Sequence, residues 1–357
     1  MKRIKKNKYK LIKEYQKIIA EQQKIINHFY SSKYHRFRVF LWYLFRPKLV
    51  FRIILHRIIN FFLYNYLELG RLEGKNKKVH FENFYRYKHK VKEFKKIVIV
   101  TPSFNQGKFI EETIKSVIKF DYPNLIYIIQ DNFSKDKTKK ILEKYKKNKK
   151  IKIYIEKDKG QADALNKGFS KYRGDIYAYL NADDVLVPGV LYYINYFFLK
   201  NKNIDLIYSH RAIINEKGKV IGRWILAPNS NEVNKRVDFI PQETMFWSNR
   251  LHEKIIKRYK KPFDEKLKFA MDWDFILKAI KIKANFKRLP FIFAKFRVHN
   301  KSKTISVYKD IGIKEVNKLR KKYLRRIKLT NKDNKIIQNY ILKSALFSFL
   351  YDLGIKI

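Results

Sequence analysis

Residues 95–131 read KKIVIVTPSFNQGKFIEETIKSVIKFDYPNLIYIIQD. The β-branched run KKIVIVT (95–101) stops at Pro102. Ile110, Ile114, Val117 and Ile118 then fall on one face of a helix, and a second run, NLIYIIQD (124–131), follows. Strand, helix and strand at this spacing form a βαβ unit, whose two strands are parallel. The alternation continues. SKDKTKKILEKYKK predicts a helix with Ser134 as N-cap and Asp136 and Thr138 in its first turn. IKIYIEKD is a third strand, QADALNKGFSKY a helix ending near Gly174, and DIYAYLN a fourth strand that runs into Asp183-Asp184. The pattern predicts an α/β fold with a mostly parallel, Rossmann-like sheet flanked by helices.

The texture differs on either side. Residues 1–96 hold 26 Lys and Arg against 6 Asp and Glu and form a basic, aromatic-rich extension. Leu11, Tyr15, Ile18, Ile25 and Phe29 lie near heptad spacing, interrupted by Gln22, which admits oligomerisation through a short coiled coil. Residues 39–67, VFLWYLFRPKLVFRIILHRIINFFLYNYL, alternate apolar and aromatic residues with Arg46, Lys48, Arg52 and Arg57. That pattern suits a helix in a membrane interface and equally one packed on the body of the protein. Beyond residue 190 a strand pair surrounds the turn NEKGK (215–219), and the helix AMDWDFILKAIKI follows. Residues 304–357 are a basic helical extension in which YILKSALFSFLYDL is apolar enough to dock on the body or on a membrane. The core region is thus 97–303, in two halves at 97–185 and 186–303.

The chain of 357 residues carries a formal charge of +50 and no cysteine. Disulfides and cysteine-ligated zinc are excluded, and a reducing compartment is expected. No run approaches the roughly 18 apolar residues of a membrane span, and the basic start is not followed by the apolar stretch of a cleaved signal. The charge favours an acidic partner: nucleic acid, anionic lipid or a phosphate-bearing substrate. Lys, Ile, Asn, Phe and Tyr are abundant together, as AT-rich codons produce, so part of the charge needs no partner.

Ligands bind parallel sheets at the carboxyl ends of the strands. Asp131, Asp158 and Asp183 all fall there. Asp183 and Asp184 are adjacent and cannot both point at one ligand. One carboxylate on a hard divalent ion that bridges phosphate oxygens, with its neighbour on substrate or backbone, accounts for the pair; a turn into the helix at Pro188 is the plainer alternative.

With these residues in view, TPSFNQGKFIEETIKSVIKFDYPNLIYIIQDNFSKDKT resembles the opening of family 2 glycosyltransferases, enzymes of the GT-A fold that use nucleotide sugars. EKDKGQADALNKGFSKYRGDIYAYLNADDVLVPGVL is similar to their central segment, and FAMDWDFILKAI to their late acidic motif. The resemblance covers residues 97–303, including FRVHNKSKT, and implies a nucleotide-binding half at 97–185 and an acceptor half at 186–303. It implies that Thr101, Pro102 and Asp131 border the base and that Asp158 lies near base or ribose. Asn181 and Asp183 take the ends of the family's DxD triplet, with Asp183 as metal ligand and Asp184 in support, and His299 is a second candidate for metal or pyrophosphate. Asp272 matches the catalytic base of inverting members, although Met271 stands where Glu is common. Asp274, two residues on, should point elsewhere on the helix. Gln242 and Trp247 are expected to shape the acceptor side, with Trp247 able to stack on a sugar. Tyr127 replaces a common Glu and Asn132-Phe133 a common Gly, which leaves the base open. No QxxRW segment is present, which argues against a processive synthase.

The expected activity is therefore inverting transfer, dependent on Mn²⁺ or Mg²⁺, from a UDP- or dTDP-sugar to a glycan or lipid-linked acceptor in surface polysaccharide or lipopolysaccharide synthesis. The expected location is cytoplasmic, peripheral at the inner face of a bacterial-type plasma membrane whose anionic lipid the basic extension would meet. Two alternatives stand beside it: a catalytically inactive relative, and a basic nucleic-acid-binding protein. Against the last, the basic residues are spread through the chain and no nucleic-acid-binding motif is present.

Overall fold

The computed structural model describes residues 78–300, Ser302 and residues 308–356, with isolated positions between 55 and 72. The chain divides into two compact units, Met1–Phe61 and Phe62–Ile357. The first lies almost wholly outside the described residues, and with it the heptad pattern and most of the aromatic stretch 39–67. The second unit takes in residues on both sides of 97–303.

A nine-stranded sheet organises this second unit, in the order β3-β2-β1-β4-β8-β6-β9-β5, with β7 paired to β6. Strands β1 (Ile97–Ser103), β2 (Leu125–Asp131), β3 (Ile151–Ile155) and β4 (Ile176–Tyr179) run parallel, as the sequence predicts. The second half is mixed. β8 (Phe246–Ser248) is antiparallel to β4 and to β6 (Leu206–Ile214), and β9 (Phe286–Arg297) is parallel to β6. β7 (Val220–Trp224) closes the hairpin at the NEKGK turn, and the two-residue β5 (Val185–Leu186) pairs antiparallel with β9.

The period-2 geometry of β1 builds two apolar layers. Ile97 and Ile99 join Ile110, Ile114 and Val117 of α1 (Ile110–Ile118) and the aromatic face of α4 (Val190–Lys200). Val98 and Val100 join Leu165 and Phe169 of α3 (Gln161–Lys171) and a cluster around Trp247 and Phe275. All four β1 side chains are at most 1% exposed, and each contributes about 1.5–3 kcal/mol by leaving water. Helix α3 sits so close to the sheet that a Cβ on Gly168 would lie 2.6 Å from Val100 Cγ1.

Helix α2 begins at Thr138 and runs to Tyr145, four residues later than the predicted cap. Ser134 is not that cap; its hydroxyl donates to Asp131 Oδ2 at 2.6 Å. Asp136 takes over the local turn, accepting from the Thr138 N–H and from the Gly107 N–H, both at 2.9 Å.

After the one-turn α5 (Asn231–Asn234) come α6 (Asn249–Tyr259), α7 (Met271–Lys281), α8 (Ile313–Leu324) and α9 (Asn331–Asp352). Helix α9 opens on a capping box between Thr330 and Asp333. Its apolar residues dock on the body, with Tyr340, Ala345 and Tyr351 buried. A buried ionic clamp joins it to β7: Arg223 meets Glu68 at 2.9 Å and Asp352 at 2.7 Å, and donates to Ser348 Oγ at 3.2 Å. Among the described residues no helix is long and apolar enough to cross a membrane.

Candidate active site

At the carboxyl ends of β1 and β4 a cleft of about 430 Å³ opens. It is lined by Pro102, Phe104, Asn132 and Asp158 and by Asn181, Asp183, Phe296 and His299. The loop between β3 and α3 reaches the cleft because Gly160 adopts φ +128°, which side chains rarely tolerate. Its N–H then donates to Asp158 Oδ1 at 2.8 Å. Burial raises the Asp158 carboxyl above its ordinary range.

Tyr179 ends β4, and the chain turns through Asn181–Asp184, closed by the Asp184 N–H on the Asn181 carbonyl at 3.2 Å. Two residues hold the turn. The Thr113 hydroxyl on α1 lies 2.9 Å from the Ala182 carbonyl and 2.8 Å from that of Asp184. Arg297, 1% exposed, donates through Nε to the Asp183 carbonyl at 2.9 Å, while its own N–H reaches Asp184 Oδ1 at 3.0 Å. The same guanidinium donates to the carbonyls of Asn215 and Glu216, so the β6–β7 turn is fastened beside the two acids.

This division of labour answers the puzzle of adjacent carboxylates. Asp184 faces inward at 1% exposure, and burial, followed by the charges of Asp183 and Glu243, pushes its carboxyl well up. Asp183 faces the cleft and meets His299 Nε2 at 2.9 Å. Asn181 accepts from Gln161 Nε2 at 2.7 Å and donates to Gln242 Oε1 at 3.0 Å. Gln242 in turn holds the Tyr179 carbonyl at 2.7 Å, so it braces Asn181 from behind, outside the cleft lining.

Three expectations need correction. Thr101 is fully buried with its hydroxyl 2.9 Å from that of Tyr127, so only its neighbour Pro102 lines the cleft. Asp131, 2% exposed, spends its oxygens on Ser103 Oγ and on the N–H and hydroxyl of Ser134, and so locks the β1 and β2 loops together. Trp247 is 0% exposed among Phe169, Tyr177 and Phe275, with its indole N–H 3.3 Å from His252 Nδ1; it is core and cannot stack on a sugar.

Asp272 stands in the first turn of α7, half-buried, and accepts the Trp273 N–H at 2.8 Å. Ala270 at the N-cap position supplies no side-chain bond. Glu315 of α8 supplies it instead: its carboxylate accepts the N–H groups of Lys268, Phe269 and Ala270 at 2.8–2.9 Å. Asp274 does point elsewhere, to Lys278, Lys322 and Tyr323 at 2.9–3.0 Å, and so pins α7 to α8.

Around Asp272 lie groups that sequence reading passed over. Burial and then the charge of Asp272 push the Asp238 carboxyl well above its usual range. Burial also raises Glu243, while Arg211, 3.5 Å away, opposes the shift. The one available signal was Arg211 itself, a cation in the strand LIYSHRAII, whose ends are apolar.

A family model for glycosyl transferase family 2 matches residues 98–262, the segment that carries most of the cleft lining, though not Phe296 and His299. Residues 98–262 thus form a glycosyltransferase family 2 domain. This glycosyltransferase is 27% identical over 214 residues, 59% of its length, to an uncharacterised glycosyltransferase of Methanocaldococcus jannaschii, 73% of which is matched. It is 29% identical over 136 residues to the putative teichuronic acid biosynthesis glycosyltransferase TuaG of Bacillus subtilis, across 38% of its own chain and 54% of that relative. In fold it is similar to residues 1–349 of TarS from S. aureus, solved in complex with UDP-GlcNAc. The TM-score is 0.53 at 18% identity, covering 73% of this chain and 76% of that one. The glycosyltransferase therefore has the GT-A fold.

Proposed function

We propose that this glycosyltransferase moves a sugar from a nucleoside-diphosphate sugar to a hydroxyl of a glycan or lipid-linked acceptor, with inversion, in surface polysaccharide synthesis. The observation that carries the reading is the cleft lined by Asp183 and His299 together with Pro102, Asn132 and Asp158. Its volume of about 430 Å³ suits a diphosphate joined to a nucleoside. Likeness in fold to a TarS structure holding UDP-GlcNAc supports the donor class, and the similarity to TuaG supports polysaccharide synthesis.

Asn132 and Asp158 accept from base and ribose beside Pro102. Asp183 and His299 offer one carboxylate oxygen and one imidazole nitrogen, a donor set that fits Mn²⁺ or Mg²⁺ when diphosphate oxygens and water complete the coordination. Among the described residues no group of three or more such side chains forms a cage, which also suits an ion brought in with its substrate. When bound, the ion neutralises charge on the departing diphosphate. Asp272 takes the proton of the acceptor hydroxyl as its oxygen bonds to the anomeric carbon. The bond from that carbon to the diphosphate breaks, and the nucleoside diphosphate leaves. General-base help of this kind is worth roughly 10²–10⁴ in rate. Arg297, Asn181 and Gln242 hold the acidic turn in place while this happens.

Calorimetric titration of UDP, dTDP and GDP, with and without Mn²⁺, into wild type and Asp183→Ala tests the reading. One nucleotide should bind in a metal-dependent way that the variant loses. Binding that ignores both metal and variant would remove Asp183 from its role, and binding of none of the three would remove the donor class.

A further inference from the structure

The lysines of this chain are not evenly spread. Eight of the 14 residues 139–152 are lysine and one, Glu143, is acidic, whereas Lys and Arg together make up 82 of the 357 residues. Codon bias acts along the whole chain and does not account for a local excess. The segment covers most of α2, the turn after it and the start of β3, the outermost strand of the sheet. Thr138, Ile141 and Leu142 turn α2 toward the core, which leaves its lysines and those of the turn on the outer surface. A groove of about 540 Å³ lies against the edge strand, lined by Lys146, Lys147, Lys149 and Lys152 with Ile153 and Tyr154. It shares no lining residue with the cleft.

Three of the eight lysines have acidic partners. Lys144 lies 3.5 Å from Glu111 and Lys146 2.6 Å from Glu143, and Lys150 pairs with Asp121. Lys139, Lys140, Lys147, Lys149 and Lys152 meet no acid among the described residues. Clustered like charges repel one another and destabilise the compact state, and an anionic partner relieves that repulsion. A lysine on an edge strand also guards it against pairing with another sheet. That role explains Lys152, but not Lys139, Lys140, Lys147 and Lys149, which lie off the strand.

The make-up of the surface selects among anions. None of the eight cations is arginine, the side chain whose planar fork reads a single phosphate or carboxylate. Tyr154, the one ring that lines the groove, lies under the Lys171 ammonium at 4.1 Å, and its hydroxyl is 3.0 Å from that of Tyr172. It is therefore not open for a nucleobase to stack on. Flexible, hydrated ammonium groups suit a field of anionic headgroups, which has no single geometry to match.

We propose that α2, the turn 146–150 and β3 form a docking surface for anionic phospholipid. The inference stands apart from the transfer reading and does not rest on it. Sequence reading gave lipid contact to residues 1–96; this surface lies on the folded domain. The β3 edge is a lateral edge of the sheet, whereas the cleft opens at the carboxyl ends of β1 and β4. A bilayer against that edge runs beside the cleft and leaves it open.

The test is co-sedimentation of the full chain with phosphatidylcholine vesicles, alone or with about one third phosphatidylglycerol. Wild type should bind the anionic vesicles and leave them as salt rises from about 0.1 to about 1 M, which shortens the screening length from about 10 to about 3 Å. Each lysine near such a surface is worth about fivefold in partition. Lys147→Gln, Lys149→Gln and Lys152→Gln together should thus weaken binding by about tenfold or more, and the same three positions changed to Arg should bind as wild type does. Lys254→Gln, Lys257→Gln and Lys260→Gln remove equal exposed charge on α6 and at its C-cap. They should change binding by less than about threefold. The inference is overturned if both Gln sets weaken binding alike, if the first leaves it intact, or if wild type does not prefer anionic vesicles. With vesicle binding intact, loss of single-stranded RNA binding by the first set would give the surface to nucleic acid instead.

Discussion

Helix α7 starts on an alanine that cannot cap it, and Glu315 substitutes from a distant helix. Replacing Glu315 by Ala strips the acceptor from three N–H groups. Lys268 is exposed and its N–H can turn to water, whereas Ala270 is buried and Phe269 half-buried. An unsatisfied buried donor costs about 1–3 kcal/mol, and loss of the negative charge at the helix start adds about 0.3–1 kcal/mol. The expected destabilisation is therefore about 1–4 kcal/mol by urea unfolding. Glu315→Gln keeps one acceptor oxygen and should cost about half as much. Because Asp272 sits in the first turn of α7, slackening the turn also moves the proposed base. A displacement near 1 Å is worth roughly 10² in rate. Turnover should thus fall in Glu315→Ala while nucleotide affinity holds, since the cleft lining includes no residue of α7. A loss under about 0.5 kcal/mol with unchanged turnover would refute the claim that Glu315 caps this helix.

Trp247→Ala should lower stability by about 3–5 kcal/mol through the cavity it leaves, read as a shift in the urea midpoint; a drop in sugar binding without a shift would return Trp247 to the site. Gly168→Ala places a methyl 2.6 Å from Val100 Cγ1 and should cost about 1–3 kcal/mol in the same assay, with no gain from the better helix propensity. Arg236, Arg326 and the Thr330 N–H hold the Asp333 carboxyl far below the ordinary carboxylate range despite its burial. Its stabilisation is thus complete above pH about 4 and lost as pH falls further. Unfolding midpoints taken between pH 6 and 3 should decline less steeply in Asp333→Asn than in wild type.

The first half of the sheet was legible because parallel strands buried on both faces are spelled as unbroken β-branched runs. Asp183 was legible for a related reason: a carboxylate at the end of such a run has few purposes. Trp247 and Thr101 were misplaced because residue type states what a side chain can do but not which face of the sheet it occupies. Ser134 has the chemistry of a cap, yet Asp131 captured its hydroxyl first. Glu315 and Arg211 were invisible for a different reason. Their partners lie 45–47 and 32 residues away along the chain, and no local pattern encodes a bond formed only when the sheet and the last helices meet.

The Arg223 clamp sets a timetable for the birth of this domain. A buried arginine without its acids costs several kcal/mol, and here its contacts include Glu68 on one side and Ser348 and Asp352 on the other. Ser348 follows Arg223 by 125 residues, an interval of roughly 6–25 s at about 5–20 residues added per second. Until then the hairpin of β6 and β7 carries a cation that only its N-terminal partner can neutralise. The parallel half of the sheet is free to assemble as the ribosome works, while the half that bears β6 and β7 must wait for Ser348 and Asp352.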